Sequence, residues 1–297
     1  MTMSNPLPIR QSKSQSASLI SSGLAAPRSA IAPEGEPTLR LLSYNIQAGI
    51  GTRHFRDYVL NGWKHVLPFP ERMHNLDHIA QLLGQFDLIA LQEADGGSLR
   101  SHFLNQIEYL ALKAGLPFWA SRINRDLGHW GQHALGLLAR CEPTHIERYA
   151  LPGRIPGRGV LLADFDWHGQ PLRAQVSHLS LSHRARSLQL DRIISRCNEH
   201  SGINLVMADF NCTPNNRDLQ RLCAEADLKL PSLPPRTYPS WQPRRAIDHI
   251  LVSTRVQIES VAALAYGVSD HAPLAMVVRL PACVPIIQQQ AAYRVED

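Results

Sequence analysis

From Thr38 onward, short apolar runs of strand length alternate with longer amphipathic stretches. Leu39–Ile46 (LRLLSYNI), Leu88–Gln92, Gly136–Leu138, Val160–Asp166, Leu172–His178, Leu205–Ala208, Ile250–Ser253 and Ala275–Arg279 have the length and side-chain bias of strands. Met73–Leu83 carries Leu76, Ile79, Ala80 and Leu83 at three- and four-residue steps, the stripe of a core-facing helix. Ser101–Ala114 and Ala185–Asn198 show the same period. The runs at Val160 and Leu172 are joined across His168-Gly169-Gln170, which predicts a hairpin. A hairpin beside helix-separated strands implies mixed rather than all-parallel sheets. Trp63–Pro70 (WKHVLPFP) fits neither period and predicts a long, partly apolar loop. Residues 1–37, rich in Ser, Pro, Gln and Ala, read as a flexible tail, because such a segment buries too little apolar area to offset its ordering entropy. Residues 286–297 read as a second tail, leaving one folded domain over 38–285.

Composition narrows this picture only slightly. An apolar share of 44% in 297 residues supports a sizeable core. The net charge of +5 is spread along the chain without basic blocks, which suits a phosphorylated substrate but lacks a nucleic-acid footprint. Five cysteines with no CxxC read as reduced thiols rather than disulfides or a zinc site. No apolar run approaches the roughly 20 residues that span a bilayer. Ser-rich sequence follows Arg10 and Lys13 where a signal peptide would place its apolar core. The expectation is a soluble, cytoplasmic protein, with peripheral membrane contact left open.

The chemistry is concentrated at the ends of the apolar runs. Ser43-Tyr44-Asn45 closes the first, Gln92-Glu93 the second, His178 the return strand of the hairpin, and Asp209-Phe210-Asn211 follows Leu205–Ala208. Asp248-His249 and Ser269-Asp270-His271 directly precede the last two runs. Side by side, such strands gather these groups at one rim, where α/β folds bind ligands. Singly, each is more simply a cap or turn residue. Asp209 and Asn211, two apart, share a face if the backbone is extended, but Asp-Phe-Asn before Thr-Pro also reads as a helix-entry turn. Glu93, an oxygen donor closing a buried strand, suits Mg²⁺, which takes few protein carboxylates. His74 and His78 have the spacing of a helical zinc pair without its glutamate, and Gly49-Ile50-Gly51 lacks the third glycine of a dinucleotide loop. Arg154–Arg158 (RIPGR) reads first as a solvated loop, with phosphate contact as the alternative.

Taken in order, Asn45, Gln92-Glu93, His178-Leu179, Ala208-Asp209-Phe210-Asn211, Ile247-Asp248-His249 and Ser269-Asp270-His271 resemble the endonuclease/exonuclease/phosphatase superfamily. The likeness runs from about Leu39 to Leu280. It implies an α/β fold (α+β by some schemes): a four-layer sandwich of two mixed β-sheets face to face, with helices outside. It implies that Glu93 binds Mg²⁺, or Mn²⁺ in its place, with Asn45 and Asp270. It further implies that His271, oriented by Asp248, and Asp209 position and deprotonate the attacking water, while Asn211 and His178 hydrogen-bond the phosphoryl oxygens.

Two positions depart from the pattern: Ala208 stands where glycine is usual, and His178 where abasic-site enzymes carry tyrosine, which argues against that repair role. Bacterial single-domain members are similar through Ser98–Ser101, Asn124–Gly128, Leu151–Gly153 and Pro239–Trp241, and substrate contacts are expected from Asn124, Arg158 and Trp241. The resemblance implies a phosphate-ester substrate: first a phosphodiester of nucleic acid or phospholipid, with a soluble phosphomonoester or a non-catalytic scaffold as alternatives. No obligate protein partner is implied. Trp63, Phe69, Phe118, Trp119, Trp130 and Trp241 fall in predicted loops, able to stack on bases, enter a headgroup layer or pack as core. The apolar Trp63–Pro70 loop tips that balance toward lipid.

Overall fold

The computed structural model describes residues 37–50, 71–126, 128, 131–154 and 156–281. The predicted Trp63–Pro70 loop, Trp130, Cys283 and the predicted tails apart from Pro37 lie outside the described residues. In chain order the strands are β1 (Thr38–Asn45), β2 (Leu88–Asp95), β3 (Phe118–Asp126), β4 (Gln132–Ala139), β5 (His145–Ala150), β6 (Gly159–Trp167), β7 (Gln170–His178), β8 (Ile203–Asp209), β9 (Leu228–Lys229), β10 (Asp248–Ser253), β11 (Gln257–Ala263) and β12 (Leu274–Arg279). The helices are α1 (Glu71–Leu83), α2 (Gln106–Ala114), α3 (His183–Asn198) and α4 (Arg217–Glu225). They form two mixed six-stranded sheets, β11-β12-β1-β2-β4-β3 and β5-β6-β7-β8-β10-β9. No helix among the described residues is long and apolar enough to cross a membrane.

The four layers follow from how the apolar runs divide between two faces. Interior strands are buried on both sides, so their runs are continuous rather than alternating. Period-two geometry still sorts them. Leu39 and Leu41 of β1, Leu88 and Ala90 of β2, Val176 of β7 and Leu205 and Met207 of β8 meet in a core between the sheets. Leu42, Tyr44, Ile89 and Leu91 face outward onto Leu76, Ile79 and Leu83 of α1 and Ile107 and Leu110 of α2. On the other side, Val160, Leu162, Val206 and Leu251 pack on Leu190 and Ile193 of α3 and Leu219 and Leu222 of α4.

All eight predicted runs are interior strands, and the predicted hairpin is the β6–β7 pair. The strands that the pattern missed, β3, β5, β9 and β11, are the edges of the two sheets. Edge strands leave one side to water and carry polar residues there, as in SRINR and HIERY, so no apolar run betrays them. Phe118 and Trp119 therefore lie on β3, not in a loop. Helix α2 starts five residues later than predicted. His102 and Phe103 have φ of 55° and 61°, which breaks a helix, and Asn105 caps the new start by accepting from Ile107 N and Glu108 N. Helix α4 escaped notice because only Leu219 and Leu222 of its apolar side chains are buried.

One irregularity aims a side chain. Against β4, the register of β2 advances from Leu91 to Ala94 while its partner moves only from Gly136 to Ala134, a bulge of one residue. The slip exchanges the two faces. Leu91 and Ala94 both pack outward, and Glu93 between them, with φ of 54°, turns into the cleft between the sheets.

Two stability outcomes are expected. Replacing Leu205, fully buried between the sheets, by alanine should cost about 2–5 kcal/mol in urea denaturation, whereas Leu188→Ala, 48% exposed, should stay within about 0.5 kcal/mol. Glu93→Gly should be more stable than Glu93→Ala by about 1 kcal/mol, since only glycine holds the left-handed φ without a Cβ penalty.

Candidate active site

The strand directions explain why some polar clusters follow their runs and others precede them. β1 and β2 are parallel, as are β7 and β8, while β12 runs antiparallel to β1 and β10 to β8. The ends of the first four and the starts of the last two therefore share one rim. Asn45, His178, Asp209 and Asp248 each continue the inward parity of their strands, so they are the polar end of the core between the sheets. Glu93 joins them through its bulge. Ala208 sits in β8 without a positive φ, so the missing glycine costs nothing.

Asp209, 1% exposed, is the centre of the constellation. Its Oδ2 accepts from Asn45 Nδ2 at 3.3 Å and lies 3.5 Å from His178 Nε2 and 3.8 Å from His271 Nε2. Its Oδ1 accepts from the Asn211 backbone N–H at 2.9 Å. His271 Nδ1 lies 2.8 Å from Asp248 Oδ2; a carboxylate only accepts, so Nδ1 carries the hydrogen and Nε2 is turned toward Asp209. The Thr237 hydroxyl donates to the same Asp248 oxygen, and the Tyr238 ring packs 5.0 Å from the imidazole. The Ser269 hydroxyl donates to the Asn45 carbonyl at 2.7 Å, tying the loop before β12 to the end of β1.

Burial and crowding set the charges. Burial, then the neighbouring Asp248, pushes the Asp209 carboxyl up from its ordinary range. Burial alone would depress His271, but the Asp248 and Asp209 carboxylates outweigh it and stabilise the imidazolium. His178 is driven far down, first by burial and then by the Arg158 guanidinium, and is a neutral imidazole. Asp270 is raised, chiefly by burial.

Oxygen donors suited to a hard cation adjoin this centre. The Glu93 carboxylate accepts no hydrogen bond among the described residues and lies 3.7 Å from His178 Nδ1. Asp270 Oδ1 lies 3.3 Å from Ser269 Oγ, whose single hydrogen is directed to the nearer Asn45 carbonyl, and Asn45 Oδ1 accepts one bond from Gln47 N at 3.2 Å, leaving lone pairs on all three side chains. That donor set fits Mg²⁺ or Mn²⁺. A second grouping, Asp209, Asp248 and His271, brings three ligand atoms within 4.8 Å of one another. Both Asp248 oxygens there already face His271, so this grouping is better suited to holding an imidazole than an ion.

Other expected residues fall into place unevenly. Asn211 does not share an extended face with Asp209: its φ is 52°, and its side-chain amide donates to the Leu179 carbonyl at 2.9 Å. Asn124 and Arg158 line a cavity of about 780 Å³ with Glu93 and His178. Trp241, half-buried, is not among its lining residues. Arg154 lines the same cavity while remaining exposed. The sequence reading missed Thr237, Arg125 and His133, which sit in no apolar-run motif. His74 and His78 are exposed, with ring nitrogens 3.0 Å apart and no third ligand among the described residues. Cys141, Cys197, Cys212 and Cys223 are free thiols.

Known proteins share this architecture. The structure of an endonuclease/exonuclease/phosphatase from Bacteroides vulgatus superposes with a TM-score of 0.63 at 18% identity, covering 83% of this chain and all of that one. A mannosyl-6-phosphatase of Bacteroides thetaiotaomicron matches with a TM-score of 0.61 at 16% identity, covering 81% of this chain and 99% of that one. The human Nocturnin catalytic domain, solved with a sulfate anion, matches with a TM-score of 0.60 at 16% identity, covering 83% and 96%. At these identities the likeness shows the fold alone. No curated protein matches significantly in sequence. The sequence profile of the Endonuclease/Exonuclease/phosphatase family, however, matches residues 42–271, from within β1 to His271. The chain belongs to that family, whose members are hydrolases of phosphate esters.

Proposed function

We propose that this protein is a divalent-metal-dependent phosphoesterase in which water attacks the phosphorus. The observation that carries this reading is the line Asp248–His271–Asp209, an oriented imidazole between two buried carboxylates beside free oxygen donors. In this reading, Asp248 and Thr237 fix the His271 ring. His271 and Asp209 hold the attacking water between them and take its proton as one unit. His178, neutral and therefore carrying one N–H, and the remaining amide hydrogen of Asn211 donate to the phosphoryl oxygens as negative charge builds. Mg²⁺ or Mn²⁺, held by Glu93, Asn45 and Asp270, would supply Lewis-acid polarisation of the phosphoryl group.

A non-catalytic scaffold is the weaker reading, because each of these side chains is present and oriented. The phosphodiester preference and the cytoplasmic placement stay part of this proposal. The lipid leaning rested on Trp63–Pro70, outside the described residues, and has no further support.

The test is hydrolysis of bis-p-nitrophenyl phosphate and p-nitrophenyl phosphate with Mg²⁺, with EDTA, and by two variants. Turnover should vanish in EDTA and in Glu93→Ala, with circular dichroism unchanged. His271→Ala should lower kcat by about 10²–10⁴-fold. Full activity in EDTA, or a His271→Ala effect confined to KM, would overturn the assignment.

A further inference from the structure

The cavity beside the catalytic constellation is strongly cationic, and its charge comes from parts of the chain that no motif joins. Arg125 stands at the end of β3, Arg154 in the β5–β6 connection, and Arg158 immediately before β6. The strand directions bring all three to the active rim. β3 is antiparallel to β4 and therefore ends there, while β6 is antiparallel to β7 and begins there. The contact between the two segments is close. A Cβ on Gly157 (φ 106°) would lie 3.1 Å from Arg125 Cβ and 3.2 Å from the Asn124 carbonyl, so the connection rests directly on the end of β3.

The Arg122 guanidinium lies against Gly159, where any Cβ would collide with it, and donates to Asn124 Oδ1. That bond fixes the carboxamide and leaves its two N–H donors unengaged among the described residues. Ser182 and Ala185, at the start of the 16-residue helix α3, line the same cavity, and the Ser182 side chain makes no capping bond. The positive end of the helix therefore adds to the field.

What marks these arginines is that three without ion pairs line one concave site. Several guanidinium groups elsewhere are paired, Arg40 with Asp87, Arg173 with Asp164, Arg196 with Glu147 and Glu199, Arg221 with Asp191 and Arg279 with Glu259, while others on the surface are not. Arg125, Arg154 and Arg158 have neither an ion pair nor a side-chain hydrogen bond among the described residues, and Glu93 is the one carboxylate lining the cavity with them. Unpaired guanidinium forks converging in a concave site are suited to bidentate recognition of phosphate.

We propose that Arg125, Arg154 and Arg158 form a subsite for a second phosphate, so that the substrate is a small molecule bearing a phosphate group besides the one hydrolysed. This rests on the phosphoesterase reading for the scissile group. The volume of about 780 Å³ lies within the range of roughly 300–1,000 Å³ typical of small-molecule sites. Burial depresses the Arg158 pKa despite the Glu93 and Asp209 carboxylates, a cost that a further anion at the guanidinium offsets. A zwitterionic headgroup ending in trimethylammonium would meet three like charges instead.

The experiment is calorimetry in EDTA, where no metal-dependent turnover intrudes, on two pairs of probes: adenosine 3′,5′-bisphosphate against adenosine 5′-monophosphate, and fructose 1,6-bisphosphate against fructose 6-phosphate. At least one bisphosphate should bind about tenfold tighter than its monophosphate, about 1.4 kcal/mol. Arg158→Gln and, independently, the exposed Arg154→Gln should reduce that preference to about twofold or less. Arg255→Gln, beyond the opposite end of β10, removes the same charge far from the site and should leave the preference intact. Equal affinity within both pairs, or a preference unchanged in the Arg154 and Arg158 variants, would overturn the subsite. A ten-nucleotide single-stranded DNA binding more tightly than either bisphosphate would overturn the small-molecule assignment. Failure of the underlying reading shows separately, as no Mg²⁺-dependent hydrolysis of bis-p-nitrophenyl phosphate.

Discussion

The packing of one sheet on the other is the constraint from which the rest of the structure follows. Two sheets can meet only through side chains of a single parity on each strand, and those side chains must be apolar for as long as the strands overlap. At one rim the overlap ends, and the same parity runs on into Asn45, His178, Asp209 and Asp248. The site needs no special loop to gather these groups. It is the place where the core changes from hydrocarbon to polar atoms without changing direction. Glu93 is the exception that tests the rule: its position in β2 would face it outward onto α1 and α2, and the bulge returns it to the cleft.

Such a rim is expensive to maintain. Asp209, Asp248 and Asp270 are all nearly buried, and a buried carboxylate is tolerated only when hydrogen bonds or counter-charges replace water. Each carboxylate here has a different arrangement. Asp248 has the imidazole and a threonine hydroxyl, Asp209 has an amide, a backbone N–H and two histidines, and Asp270 has little beyond Ser269. The least satisfied oxygens, those of Asp270 and Glu93, are the ones with lone pairs to offer a cation. Left-handed backbone at Glu93 and Asn211 adds strain of about 1–3 kcal/mol each at the same rim, which the surrounding core must support.

How much of this was readable from the chain divides along the same line. Every interior strand announced itself, because burial on both faces demands an unbroken apolar run, and Leu205–Ala208 or Leu88–Gln92 can hardly be anything else. Edge strands need apolar residues on one face only, so β3, β5, β9 and β11 passed for loops. The polar groups closing interior strands were legible for the same reason as the strands themselves: they interrupt a pattern. Their mutual geometry was not. Asp-Phe-Asn read equally as extended backbone, with Asn211 on the face of Asp209, or as a turn; the left-handed φ of Asn211 turns its amide to Leu179, and nothing in the three residues fixes that choice.

The grouping of the arginines was not legible, although Arg158 was expected to contact substrate and RIPGR carried phosphate contact as its alternative reading. Arg125, Arg154 and Arg158 come from an edge strand and a connection between strands, where the signal is weakest, and each is an ordinary surface arginine within its own segment. Their meaning arises only when antiparallel pairing carries the end of β3 and the start of β6 to one rim and glycine lets the two segments touch. On the proposed reading, interior strands carry the groups that break a phosphate ester, and the periphery of the two sheets carries the groups that choose which ester enters. A sequence pattern strong enough to reveal the fold and its reaction class is built from the first set. It says little of the second beyond single residues such as Asn124 and Arg158, because binding groups on edges and connections satisfy no packing rule. That division explains why membership of the family says so much more about reaction class than about substrate.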